Sequence, residues 1–173
     1  CFGPLEVAYD YDAITASVTR EKIAAGPPTL WRYADLLPVA PDSAVDLRTG
    51  FTPLVRADRL AAELGLGEVW VKNDTRNPTN SFKDRVVSVA LSKALEFGFK
   101  VFACASTGNF AGATAAAAAA VGLPAFVFVP ADLEPAKIEH ALAYGATVVP
   151  IEGTYDEVNR LSMEVADELG GGF

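Results

Sequence analysis

Residues that bind metals or form disulfides are scarce in this chain. Histidine occurs once, at His140, and cysteine twice, at Cys1 and Cys104. No Cys-x-x-Cys pair exists, so no metal site is expected. Two distant cysteines make no disulfide framework, which fits a reducing, cytoplasmic setting. Basic residues are outnumbered, 14 against 22 acidic ones, for a net charge of −8, and no lysine- or arginine-rich run occurs. Nucleic acid and anionic membrane surfaces are therefore not expected partners. Long apolar runs are also missing. The longest stretch, Phe110 to Val121, is mostly alanine, is closed by Gly122 and Pro124, and reaches about half the length of a membrane span. No secretory signal pattern is present.

What remains is a chain 51% hydrophobic and 21% charged, a balance that suits a globular protein with one core, or one and a part. Residues 1–50 are rich in loops. Weak alternation over Phe2–Tyr9 predicts a short strand, and Thr19–Ala25 a helical turn or two ended by Gly26-Pro27-Pro28. The aromatic patch Leu30-Trp31-Arg32-Tyr33 is expected to pack on the body of the protein. Pro53 suggests an edge or a strand start, Ala57–Leu64 a short helix stopped by Gly65, and Glu68–Lys72 a strand. After Gly98, placed as a helix-terminating residue, the pattern becomes regular. Strands are predicted at 101–105, 125–129 and 147–151, each followed by a helix, at 109–121, 135–144 and 155–169. Three such β-α units with short loops argue for an α/β fold with an open, mostly parallel sheet flanked by helices. The alanine-rich helix is smooth enough to lie close against a strand.

Two stretches carry chemistry. Asn77-Pro78-Thr79-Asn80-Ser81-Phe82-Lys83-Asp84-Arg85 runs from the strand at 68–72 into a helix reaching Phe97. Ser81 and Asp84 read as a capping box, so the helix is expected to start here. That places Lys83 in the first turn, at the positive end of the helix dipole, where a cation is disfavoured; imine chemistry with a carbonyl cofactor uses the free amine. A lone lysine at a helix start is ordinarily a solvated surface residue, and the neighbouring residues decide otherwise. The second stretch, Ser106-Thr107-Gly108-Asn109, lies between the 101–105 strand and the alanine-rich helix. Ligands of open α/β sheets bind beyond the carboxyl ends of strands, at helix N-termini, and backbone N–H groups with the Ser106 and Thr107 hydroxyls would suit a carboxylate. Ser106, Thr107 or Asn109 could equally cap the helix.

Asn-Pro-Thr-Asn-Ser-Phe-Lys-Asp-Arg closely resembles the pyridoxal-phosphate (PLP) lysine motif of the tryptophan-synthase-β-like, fold-type-II enzymes. Within that superfamily the chain is most similar to threonine synthases, a likeness strengthened by Trp31-Arg32-Tyr33-x-x-Leu36-Leu37-Pro38. The Thr52-Pro53-Leu54, Gly145–Pro150 and Gly153–Asp156 stretches are also similar. The resemblance implies a PLP-dependent lyase of threonine biosynthesis, converting O-phospho-L-homoserine and water to L-threonine and phosphate. The alternatives are a serine/threonine dehydratase or another β-eliminating member, and, from another class, a non-catalytic α/β fragment without PLP. It implies that Lys83 holds PLP and is catalytic, that Asn109 hydrogen-bonds the cofactor, and that Ser106, Thr107 and Gly108 hold the substrate. It divides the chain into residues 1–98, an N-terminal segment with the start of the large PLP-binding domain, and residues 99–173, a small α/β domain with the substrate loop.

The Gly-rich loop for the cofactor phosphate is expected further along, so the chain reads as truncated at both ends, with the C-terminal part of the fold missing and the segment alone inactive. The implied partner is a small amino-acid substrate, with a homodimer as the candidate assembly. One position departs from the pattern: Phe110 stands where many threonine synthases have a hydroxyl residue. Other residues carry weaker claims. Cys1 could be the remnant of a zinc-ribbon-like extension or an ordinary terminal cysteine. His140 is expected on a surface helix, Cys104 in the core, and Lys72 either at the site or at an exposed edge.

Overall fold

A computed structural model of the chain describes residues 6–169. Its N-terminal part is held together by capped helices rather than strands. Helix α1 (Tyr11–Ser17) starts where Asp10 accepts a hydrogen bond from the Ala13 N–H, and α2 (Arg20–Ala25) where Thr19 accepts from the Lys22 N–H. Residues 6–9 form no strand, against the expectation for Phe2–Tyr9; residues 2–5 of that prediction lie outside the described residues. Leu30–Leu36 winds as a 3-10 helix broken at Tyr33. Strand β1 (Leu54–Arg56) follows Pro53 and pairs antiparallel with β2 (Trp70–Lys72), with Leu54 opposite Lys72; helix α3 (Asp58–Glu63) connects them.

The regular half follows the expected β-α alternation. Helix α4 (Lys83–Glu96) leads into β3 (Phe102–Ala105), α5 (Asn109–Val121), β4 (Ala125–Pro130), α6 (Glu139–Ala143), β5 (Thr147–Ile151) and α7 (Tyr155–Leu169). The three strands form a parallel sheet in the order β3-β4-β5, with Cys104 opposite Val127 and Val127 opposite Val148. Alternation along β3 sends its side chains to opposite faces. Phe102 and Cys104 join the larger apolar cluster with Val87 and Leu91 of α4 and the alanines of α5, whereas Ala103 and Ala105 meet Phe128 of β4 and Val158 of α7. So α5, backed by α4, covers one face of the sheet and α7 covers the other.

Two helices end as their glycines require. Gly98 and Gly122 sit at φ 78° and φ 74°. The N–H groups of Phe99 and Leu123, one residue further on, bond back to Ala94 and Ala118, as in a Schellman motif. The helix expected over 135–144 is shorter. The Lys137 and Ile138 N–H groups bond the carbonyls of Glu134 and Pro135, three residues back, so this stretch opens as a 3-10 turn and α6 begins only at Glu139. No helix among the described residues is long and apolar enough to cross a membrane.

Candidate active site

Lys83 is the first residue of α4, as the capping pattern implied, but the cap is built differently. Phe82 occupies the N-cap position in helical geometry without a side-chain bond. Ser81 Oγ accepts from the Lys83 N–H at 3.1 Å, two residues on rather than three. Asp84 does not reach back to Ser81. Its buried carboxylate accepts from the Thr79 N–H at 2.9 Å and from the Thr79 hydroxyl at 2.8 Å. The loop before the helix is thereby tied to the helix's second residue. Asn80, between them, is held at φ 59°, a left-handed conformation that asparagine tolerates better than most residues. Lys83 itself is half-buried. Its Nζ lies 5.0 Å from the centre of the Phe82 ring and, among the described residues, makes no ion pair or hydrogen bond.

A polar framework behind this loop was not anticipated from the sequence. Arg85 Nη2 donates to Asp74 Oδ1 at 2.6 Å and to Thr52 Oγ1 at 3.2 Å, while the Thr52 hydroxyl donates to the same Asp74 oxygen at 2.7 Å. The Arg85 guanidinium, and then the Thr52 hydroxyl, hold the Asp74 carboxyl below its ordinary pKa. Buried Asn77 accepts from the Gly50 N–H and donates to the Asp74 carbonyl. Along α4, Asp84, Ser88 and Ser92 form a buried polar stripe at four-residue spacing. Ser88 Oγ donates to Thr49 Oγ1 and Ser92 Oγ accepts from the Val45 N–H, which docks residues 45–50 on the helix. The helical spacing of 84, 88 and 92 was the available signal.

The second loop sits where the parallel sheet predicts, after the carboxyl end of β3. Ser106, Thr107 and Gly108 are half-buried and Asn109 is exposed. None of the side chains that could have capped α5 does so. Gly108 occupies the cap position with no side-chain bond, and a Cβ built on it meets nothing within 4 Å. The first N–H groups of α5 thus receive no side-chain cap, a setting that favours an anion. Tyr155, at the start of α7, donates its hydroxyl to the Ala105 carbonyl at 3.1 Å, which fixes the strand end from which the loop departs.

The two loops meet in one place. A cleft of about 70 Å³ is lined by Thr79 and Asn80 of the lysine loop, Asn109 and Gly112 of α5, His140 of α6, and Tyr144 just beyond it. Lys83, Ser106, Thr107 and Gly108 are not in that lining. His140, expected on a surface helix, is exposed on α6 and faces this cleft. Lys72 donates to the Thr52 carbonyl, so it braces the β1–β2 edge. Cys104 is a core residue: burial pushes its thiol up to about 11, offset in part by the nearby Thr114 hydroxyl, which makes no hydrogen bond of its own. Among the described residues no cluster of histidine, cysteine, aspartate or glutamate could hold a metal ion.

Comparison with known proteins fits this arrangement. The family model described as "Pyridoxal-phosphate dependent enzyme" matches residues 45–173. A threonine synthase from Methanosarcina acetivorans is 43% identical over 93% of this chain and 39% of its own length. One from Methanocaldococcus jannaschii is 40% identical over 97% of this chain and 42% of its own. The chain thus spans about two fifths of the length of these curated relatives. Among solved structures, the processed form of threonine deaminase isoform 2 from Solanum lycopersicum aligns with a TM-score of 0.65 and 25% identity, over 99% of this chain and 50% of that one. An α/β segment of the fold-type-II kind, a lysine at the start of the helix after β2, and an open helix N-terminus beyond β3 all point the same way: this chain belongs to the pyridoxal-phosphate dependent enzyme family.

Proposed function

We propose that the full-length protein is a threonine synthase, taking O-phospho-L-homoserine and water to L-threonine and phosphate. The observation that carries this reading is the 43% identity to the Methanosarcina acetivorans threonine synthase across 93% of the chain. The residues present fit the cofactor in two respects. The Lys83 amine is left without a partner among the described residues while the residues around it are tied down, and the N-terminus of α5 is uncapped and open. Lys83 and Asn109 would hold the pyridoxal phosphate, which when bound supplies an electron sink for charge developing on the substrate's carbons.

The roles proposed for the chain's own residues follow from chemistry and position. Lys83 anchors the cofactor and, once released, moves protons at the substrate carbons. Ser106, Thr107 and Gly108, with the first N–H groups of α5, hold the substrate carboxylate and so orient the rest of the molecule. Phe110 has no proton to give, so proton movement on that side falls to other groups. We further assign residues 1–98 to the N-terminal segment and large domain, and 99–173 to the small domain; α4 and α5, which share one apolar cluster, are where the two parts adjoin. A cytoplasmic homodimer is the proposed setting.

The test is phosphate release from O-phospho-L-homoserine by the full-length protein, together with an absorbance band near the visible edge. Lys83→Ala is expected to abolish both. A second reading, a β-eliminating dehydratase, is favoured by the likeness to the Solanum lycopersicum threonine deaminase. Ammonia from serine without phosphate release would establish that reading instead.

A further inference from the structure

We propose that Arg32, in the N-terminal segment, is a positioning residue for Lys83, acting by holding Phe51 in a strained backbone conformation. This rests on the cofactor role proposed above for Lys83, and is the same for a synthase or a dehydratase. Three non-glycine residues among the described ones have left-handed backbones: Arg48 at φ 59°, Phe51 at φ 48° and Asn80 at φ 59°. All three lie in the two loops that Asn77 joins. Its side chain accepts from the Gly50 N–H and its carbonyl from the Asn80 N–H. Asparagine tolerates that conformation. A bulky aromatic does not, and such strain persists only where surrounding groups over-determine it.

The groups that hold Phe51 come from two sides. On the inner side its neighbours are tied to the lysine motif, Gly50 to Asn77 and Thr52 to Arg85. On the outer side the Arg32 guanidinium lies 4.5 Å from the centre of the Phe51 ring. That guanidinium is itself fixed on the last turn of α2. Its Nε and Nη2 donate to the Ile23 carbonyl at 3.1 and 2.8 Å, and Nη2 also donates to the Ala24 carbonyl at 3.1 Å. Gly26 makes room for this approach, because a Cβ there would lie 2.8 Å from the Arg32 Cβ. Gly50, at φ 85°, lets the two sides meet: a Cβ there would lie 2.9 Å from the Leu30 nitrogen and 3.0 Å from Arg85 Nη1. Phe51 is exposed, so burial does not hold its ring, and the cation over its face is left to offset the strain. The cost of a left-handed backbone at such a residue and the attraction of a guanidinium for a ring are of the same order. Arg32 therefore decides whether the 48–52 loop stays docked on Asn77 and Arg85, which stand on either side of Lys83.

The test titrates PLP into the cofactor-free, full-length protein and follows the Lys83-dependent absorbance band. Apparent affinity falls with the fraction of molecules whose site is competent. Phe51→Leu keeps a bulky residue at the strained position without a ring, and is expected to weaken PLP about five- to tenfold. Phe51→Gly removes ring and strain together, and should stay within about threefold of the parent. Phe51 is exposed, so neither change opens the core. Arg32→Gln, which keeps a donor for the Ile23 carbonyl but no charge, should match Phe51→Leu, and Arg32→Lys should match the parent. In a Phe51→Gly background Arg32→Gln should have no further effect. A loss in Phe51→Gly as large as in Phe51→Leu overturns the proposal, since the ring rather than the backbone would then matter. Unchanged PLP affinity in Phe51→Leu and Arg32→Gln overturns it too, even where the urea midpoint falls. If Lys83→Ala keeps the band, the cofactor reading falls instead. The hold of Arg32 on Phe51 is then decided by urea midpoints: the loss in Arg32→Gln should vanish in the Phe51→Gly background, and its persistence removes the hold.

Discussion

Asp74→Asn tests whether the framework behind the lysine loop is energetic or merely geometric. In the native chain one carboxylate oxygen receives Arg85 at 2.6 Å and Thr52 at 2.7 Å. Asparagine keeps the shape and can still accept from Thr52, so the substitution removes the charge and little else. A hydrogen bond between charged partners contributes about 1.5–3 kcal/mol when sheltered, and an exposed ion pair about 0–1 kcal/mol. The side chains of Arg85 and Asp74 are 30% and 32% exposed, between those limits, so the expected cost is about 1–2 kcal/mol. It should appear as a lower urea midpoint for the full-length variant at pH 7, with an unchanged slope.

The pH dependence supplies the refutation. Asp74 is held below its ordinary value of 3.8 by Arg85 first and Thr52 second. A carboxyl with a depressed folded-state pKa contributes stability above its unfolded value and loses it as pH falls through the lower folded value. The gap between parent and Asp74→Asn should therefore be constant from neutral pH down to about 5 and should close below about pH 4. Equal midpoints at pH 7, or a gap that persists or widens in acid, would falsify the assignment of this stability to the charged pair.

Two further outcomes follow from burial. Leu91 is fully buried on the α4 face that meets α5, and Leu91→Ala should cost about 2–5 kcal/mol by leaving a cavity, read as a fall in the urea midpoint; a loss below about 1 kcal/mol would mean that α4 collapses freely onto the alanines. The Cys104 thiol, raised to about 11 and enclosed in β3, should resist a thiol-specific reagent at pH 8 and react once urea unfolds the protein. Mass spectrometry of the peptide containing Cys104 would follow this, and rapid labelling of the native protein would contradict the position of β3.

The β-α alternation after residue 98 was legible because each element there announces itself locally. The apolar runs at 102–105, 125–130 and 147–151 are strands, and left-handed glycines at 98, 122 and 145 stop the helices or turns before them. Helix α1 was missed because its cap, Asp10, works without any buried apolar face to give it a period. The capping box at Ser81 and Asp84 was read one step wrong for a different reason. A carboxylate in the first turn of a helix can serve the N-cap or the loop before it, and here it accepts from both the N–H and the hydroxyl of Thr79.

What local reading could not reach is the set of partners far away in sequence. Arg85 meets Thr52 across 33 positions, Ser88 meets Thr49 across 39, and Ser92 meets Val45 across 47. These contacts give the motif around Lys83 its division of labour. Asn77, Ser81, Asp84 and Arg85 spend their polar groups on the backbone and on the side chains of Thr79, Thr52 and Asp74, and the residue they surround is left with an amine that, among the described residues, makes no ion pair or hydrogen bond. A motif recognised by its lysine is in this chain largely a device for holding that lysine's neighbours still. Substitutions at Asp74 or Thr52, outside the motif, should therefore disturb the site as much as some within it.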